Sequence, residues 1–190
     1  MQKKFGIDID GTVTIPDAII PFLNQDFGLS LTLQDIKDYD LSVLVDIPKT
    51  HFSDWWLKIE PMVYQKSPLA KNAKEVLLKW GQRHELFFIS ARSIYLLEET
   101  KEWFIRQGLP YQHIELIGTQ DKVEAAIKHN VDIFFEDKHD NAVRIHEECQ
   151  IPVILFNTPY NQDPVPRGVI RVNNWLEANK WVNHWLNKNA

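Results

Sequence analysis

From residue 70 onward, short apolar runs alternate with stretches of helical periodicity, and few folds accommodate that alternation. The runs are ELFFIS (85–90), HIELIG (113–118), VDIFFED (131–137), PVILF (152–156) and GVIRV (168–172), with helical stretches expected at 69–82, 94–107, 121–129 and 139–149. Strands separated by helix-length segments pair in parallel, because returning the chain to the same end of a sheet requires a long crossover. With a further run at Phe5–Ile9, the pattern predicts an α/β fold. Its core is a Rossmann-like parallel sheet of about five or six strands, with helices on both faces and right-handed crossovers.

Residues 14–67 break the alternation. They contain no strand-like run, carry helical signals at 17–27, 33–39 and 49–59, and hold a cluster of aromatics including Phe52, Trp55, Trp56 and Tyr64. An insertion placed directly after the first strand hangs over the carboxyl ends of the strands, where open α/β sheets bind ligands. The expected organisation is therefore a core domain of residues 1–13 and 68–190 with a small helical cap at 14–67. The tail NNWLEANKWVNHWLN places Trp175, Ala178, Val182 and Trp185 at helical spacing, as a helix packing on the sheet would. The Pro-rich stretch NTPYNQDPVP (157–166) reads as a loop near the same face, with no chemistry assigned to it.

Composition narrows the partners. With 21 basic against 26 acidic side chains the chain lacks the positive excess that steers proteins onto nucleic-acid backbones, so a polynucleotide substrate is disfavoured. Acids at Asp8 and Asp10 interrupt any signal-peptide core, and no apolar run approaches membrane length, so a protein without membrane contact is expected. A single cysteine, Cys149, forms no intrachain disulfide and has no basic flank to activate it, which suits a reducing, cytoplasmic setting.

The chemistry lies at the ends of the apolar runs. Asp8 and Asp10 sit two apart in FGIDIDGT, and residues at that spacing on a strand project to one side, bringing two carboxylates to one strand mouth. Acids so close do not ionise independently; a cation or a shared proton must relieve the repulsion. An Asp-Gly turn alone would need only backbone geometry. Here, however, Ser90 ends the second run, Lys122 opens the helix after the third, and Glu136-Asp137 ends the fourth. On a parallel sheet these tips meet at one edge.

That set contains the parts of a phosphoryl-transfer site. Hydrolysis of a phosphate monoester requires up to about 10²¹-fold acceleration, more than a single carboxylate supplies. Asp8 is the expected nucleophile, forming an aspartyl phosphate, and Asp10 the acid that protonates the leaving oxygen and then activates water. Ser90, Lys122 and the backbone N–H groups of Gly11 and Thr12 are expected to hold phosphoryl oxygens. Glu136 and Asp137, with Asp8, offer oxygen ligands for a hard divalent cation such as Mg²⁺. Arg92, two residues past Ser90, either touches phosphate or caps a helix.

These residues resemble the haloacid dehalogenase superfamily of phosphotransferases, whose four motifs match DIDGT, Ser90, Lys122 and FFEDKHD in order. The resemblance covers most of the chain, and its helical cap corresponds to the insertion. It implies that Asp10 also gives its backbone carbonyl to Mg²⁺, while Asp8 and one acid of the fourth motif use their side chains. More narrowly, the length, the small cap, Ser90-Ala91-Arg92 and the acidic doublet resemble the 5′(3′)-deoxyribonucleotidase branch. That branch usually has two aspartates in the fourth motif, so Glu136, Asp137 and Asp140 all stand as candidate ligands. The implied activity is a 5′-nucleotidase on nucleoside or deoxynucleoside monophosphates.

In the cap, His51, Phe52, Trp55 and Trp56 present faces on which a base can stack, although a cap's own core draws on the same side chains. Three other readings are separable. A phosphatase of another small metabolite differs only in substrate. A phospho-receiver domain needs an acceptor aspartate ending an intermediate strand, and none of the acids from 17 to 54 lies in a strand-like run. A phosphonatase needs a cap lysine, for which Lys37, Lys49 and Lys58 are available.

Overall fold

The computed structural model describes residues 1–118 and 121–188. Six strands form one sheet: β1 (Lys4–Ile7), β2 (Glu85–Ser90), β3 (His113–Leu116), β4 (Ile133–Glu136), β5 (Val153–Phe156) and β6 (Val169–Val172). Every pairing is parallel, in the order β3-β2-β1-β4-β5-β6. This is the doubly wound Rossmann-like order, in which the winding reverses between β1 and β4 and opens a crevice at their carboxyl ends. Each of the five apolar runs after residue 70 became a strand within its expected bounds.

Burial follows the period-2 alternation of the strands. Phe5, Ile7, Leu86, Phe88, Ile133, Phe135, Ile154 and Phe156 point to one face, where α3 (Ala73–Gly81), α4 (Leu97–Gln107) and α7 (Trp175–Lys188) cover them with Leu77, Trp80, Trp103, Phe104 and Trp175. Phe87, Ile89, Phe134, Val153 and Leu155 point to the other, under α5 (Lys122–His129) and α6 (His139–Cys149). Gly6 lies in the middle of β1 because a Cβ there would come within 2.4 Å of the Phe134 ring. On the opposite face Phe5, Trp80, Phe135 and Trp175 form an aromatic stack with neighbouring centroids 4.9–5.6 Å apart at Phe5–Trp80, Trp80–Phe135 and Trp80–Trp175. The Trp175 indole N–H then donates to the Thr12 carbonyl at 3.0 Å, tying the turn after β1 to the core.

Between β1 and α3 lies the helical insertion, with α1 (Ile20–Phe27) and α2 (Lys49–Lys66). The helix expected at 33–39 is only a 3₁₀ turn at Leu33–Asp35, closed by a reciprocal Thr32/Asp35 box, with Ile36 already extended. The helix expected at 49–59 continues instead to Lys66, through Pro61. The two ends of the insertion meet: Thr14 bridges Leu69 antiparallel, Ile15 N–H donates to Pro68 O at 3.1 Å, and Ala70 N–H donates to Val13 O at 2.8 Å. Among the described residues, no helix is long and apolar enough to cross a membrane.

Candidate active site

The site is built on the β1/β4 crevice. Asp8 follows β1 directly, and its N–H donates to Phe135 O at 2.9 Å, which extends the ladder by one residue and fixes the nucleophile candidate at the mouth of the strand. Glu136 ends β4 and Asp137 follows it. Lys122 is the first residue of α5, whose start is fixed by the Asp121 carboxylate accepting from Val123 N–H at 2.9 Å. From there Lys122 reaches back under the sheet edge: its ammonium donates to Asp8 Oδ1 at 2.5 Å and to Glu136 Oε1 at 2.7 Å, with all three side chains buried.

The two acids of the fourth motif have different surroundings. Glu136 accepts from Lys122 and from Asn141 Nδ2 (2.7 Å) on one oxygen, and from the N–H groups of Asp137 (2.7 Å) and Lys138 (3.1 Å) on the other. Its acceptor capacity is spent on holding Lys122 and the loop after β4. Asp137 has its Oδ2 bonded by the Tyr160 hydroxyl at 2.5 Å, but its buried Oδ1 has no partner. An orphaned buried carboxylate oxygen costs several kcal/mol, about 1–3 or more, unless something positive meets it. Oxygens of Asp8, Glu136 and Asp137 lie within 4.8 Å of one another, a hard-donor set that fits a divalent cation. Asp140, the third candidate, is 80 % exposed and paired with His139, apart from this group.

Charge tells the same story. Burial pushes the Asp8 carboxyl up to about 7, with Lys122 opposing it and Glu136 and Asp10 adding to it. Asp137 is raised well above the usual range by burial and by the neighbouring Glu136 and Asp8. Burial pushes Glu136 the same way, but Lys122 and the surrounding donors outweigh it and hold that acid below its ordinary value. With all three acids ionised, the single ammonium leaves negative charge uncompensated, which a cation at the orphaned oxygen would relieve.

Asp10 lies on the turn beyond β1, its side chain 34 % exposed. Ser90 Oγ donates to Asp10 Oδ2 at 3.4 Å and accepts from Arg92 N–H at 3.2 Å. The Arg92 guanidinium forks onto Asp10, with Nε to Oδ2 at 2.8 Å and Nη2 to Oδ1 at 2.7 Å. The Gly11 N–H donates to Thr14 Oγ1 at 3.1 Å and so closes the turn, while Thr12 is buried beneath it with its own hydroxyl unpartnered.

A cleft of about 640 Å³ opens above this edge and is lined by Asp8, Asp10, Gly11, Ser90, Arg92, Lys122 and Asp137 on one side. The insertion contributes Ile15, Ile19, Ile36, Tyr39, Phe52, Trp56 and Tyr64 on the other. Of the aromatics singled out in the sequence, Phe52 and Trp56 therefore reach the cleft. Trp55 turns away: its indole donates to Asp26 at 2.8 Å and packs on Phe27 and Phe52. His51 and the lysines Lys37, Lys49 and Lys58 are not among the lining residues.

Several site residues carried no sequence signal. The 157–166 loop, to which no chemistry was assigned, supplies Tyr160 to Asp137 and Asn161, whose amide donates to the carbonyls of Asp137 (2.6 Å) and Phe156 (2.7 Å). Tyr39 packs edge-on against Tyr160, under the Lys138 ammonium. Asn141 follows Glu136 by five residues, in the first turn of α6, a spacing that pattern reading does not separate from an ordinary helix start.

No family model matches the chain. It is 50% identical over 189 residues to the "Putative nucleotidase" of Halalkalibacterium halodurans, an alignment spanning 100% of this chain and 97% of that one. It is 31% identical over 177 residues to a "Nucleotidase" of Clostridium acetobutylicum, covering 93% and 92%. Among solved structures, the haloacid dehalogenase-like hydrolase SP0104 of Streptococcus pneumoniae superposes with a TM-score of 0.68 at 13% identity over 95% of this chain and 98% of its own. The HAD-hydrolase YfnB of Bacillus subtilis, solved bound to magnesium, gives 0.63 at 11% identity over 96% and 99%. The chain therefore belongs to the family of these nucleotidase relatives, and it shares the fold of haloacid dehalogenase-like hydrolases.

Proposed function

We propose that this phosphoric monoester hydrolase is a Mg²⁺-dependent nucleotidase that releases phosphate from nucleoside or deoxynucleoside monophosphates through an aspartyl phosphate on Asp8. The observation that carries the reading is the convergence of Asp8, Asp10, Lys122 and the orphaned Asp137 oxygen on one cleft. Asp8 attacks phosphorus through a carboxylate oxygen as the ester P–O bond breaks, and Asp10 gives its proton to the departing oxygen. Asp10 then takes a proton from water as that water attacks the phosphoaspartate, which returns Asp8 and frees phosphate. Lys122 holds the Asp8 carboxylate in place, and Ser90 stands ready to donate to a phosphoryl oxygen.

Asp8, the Asp10 carbonyl and Asp137 are the residues that would hold Mg²⁺, with Glu136 keeping Lys122 and the loop in position. When bound, the ion neutralises charge that develops on the phosphoryl oxygens. The segment 14–67 acts as the cap: its first residue, Thr14, pairs with Leu69 just past its end, and its Phe52 and Trp56 face the cleft where a base can stack. A chain with an acidic balance and this cleft suits a small anionic ester in the cytoplasm over a polynucleotide.

Phosphate release from a panel of nucleoside 5′- and 3′-monophosphates, sugar phosphates and p-nitrophenyl phosphate, with Mg²⁺ and with EDTA, tests the reading. The expected result is Mg²⁺-dependent turnover with nucleoside monophosphates preferred. A preference for sugar phosphates removes the nucleotidase assignment, and full activity in EDTA removes the metal.

A further inference from the structure

Arg92 is a large, fully buried side chain with a defined task. Its side chain is 0 % exposed, whereas the Asp10 side chain in front of it is 34 % exposed, so Arg92 borders the cleft from behind Asp10 and the carboxylate is the group open to solvent. Two parallel N–H bonds, at 2.8 and 2.7 Å, fix the plane of the Asp10 carboxylate, because a planar fork defines orientation as well as distance. The remaining nitrogen, Nη1, donates to Thr100 Oγ1 of α4 at 3.1 Å. The flat face of the guanidinium lies 4.0 Å from the centroid of Tyr64, on α2. Residues of α4 and α2 thus both hold the guanidinium that grips Asp10, while Ser90 at the end of β2 anchors the Arg92 backbone.

We propose that Arg92 is a positioning residue for proton transfer by Asp10, orienting the carboxylate toward the leaving oxygen, and that it is not a phosphate ligand. The inference rests on the phosphomonoesterase reading above. It predicts a dependence on the leaving group. In the first half of the reaction, the P–O bond to phenol breaks while Asp10 delivers its proton to that oxygen. A p-nitrophenolate leaves with little need of the proton, whereas a phenolate needs it.

The experiment measures kcat/KM, which reports phosphoryl transfer to Asp8, for p-nitrophenyl phosphate and phenyl phosphate in the wild type, Arg92→Lys and Thr100→Val. Arg92→Lys keeps the charge and loses the fork. It is expected to lose about 10²-fold on phenyl phosphate and only about 3-fold on p-nitrophenyl phosphate, within the range that general acid catalysis supplies. Thr100→Val leaves Arg92 in place without one anchor, and serves if Arg92→Lys does not fold; it is expected to shift the ratio of the two esters in the same direction by a few-fold. Equal losses on both esters, as removal of a phosphate ligand or general loosening produces, overturn the inference, as does no loss on either. A wild-type protein that hydrolyses neither ester overturns the phosphomonoesterase reading itself, whereas parallel losses with an active wild type overturn only the role of Arg92.

Discussion

A Cβ on Gly11 would lie 2.1 Å from Oδ2 of Asp137, on a backbone whose φ is +78°. The turn after β1 therefore passes directly beneath the acid that carries the orphaned oxygen, and only a residue without a side chain allows both. Gly11→Ala is expected to force Asp137 aside, on top of about 1–2 kcal/mol for the left-handed backbone. Titration calorimetry should show divalent-cation affinity reduced by at least about 10-fold, as for other disturbed ligand shells. Wild-type affinity in the variant would show that Asp137 does not depend on this contact.

Lys122 is the only cation hydrogen-bonded to Asp8 and Glu136 among the described residues. Lys122→Met leaves two buried carboxylates facing each other, and removing one partner of a buried ion pair costs about 3–5 kcal/mol. Urea unfolding in EDTA is expected to show a loss of that size, together with loss of phosphatase turnover. A change below about 1 kcal/mol, typical of exposed pairs, would contradict the buried triad.

Much of this edge was legible in the sequence, for a physical reason. Asp8, Ser90 and Glu136 sit at or just past the ends of apolar runs, and a parallel sheet brings such ends together whatever the loops do. The roles within the acidic doublet were not legible, because they depend on which donors surround each carboxylate: Asn141 and two backbone N–H groups at Glu136, Tyr160 at Asp137. Tyr160 and Asn161 come from a Pro-rich loop whose path no periodicity encodes. The 33–39 segment reads as helix by composition, yet the Thr32/Asp35 box closes a single turn there and the chain leaves it extended at Ile36.

The acids also set a pH dependence. Without a cation, Asp8 titrates near 7 in the folded chain against an ordinary 3.8, and Asp137 is raised in the same direction. Between about pH 4 and 7 the folded state then holds protons that the unfolded state has lost, so stability falls as pH rises through that window. Glu136, shifted the other way, acts only at the acidic end. Thermal unfolding in EDTA should give a lower midpoint at pH 8 than at pH 5, and Mg²⁺ should raise the midpoint more at pH 8. An equal Mg²⁺ effect at both values would contradict the charge balance described.

Two neighbouring tryptophans are expected to behave differently. Trp56 lines the cleft, so Trp56→Ala should raise KM for a nucleoside monophosphate by about 10-fold, consistent with about 1–3 kcal/mol for base stacking, and change KM for p-nitrophenyl phosphate less. Trp55 packs on Phe27 and Phe52 and bonds Asp26, so Trp55→Ala should lower stability by about 1–3 kcal/mol with a smaller effect on KM. Steady-state kinetics and urea unfolding of both variants read this out, and equal KM effects would contradict the assignment.

The central claim is that the Asp8 carboxylate itself takes up the phosphoryl group. Quenching the enzyme during turnover, reducing any acyl phosphate with borohydride and sequencing the peptides that carry Asp8, Asp10 and Asp137 by mass spectrometry tests it directly. The account predicts homoserine at position 8. Homoserine at Asp10 or Asp137 with Asp8 unchanged would contradict it.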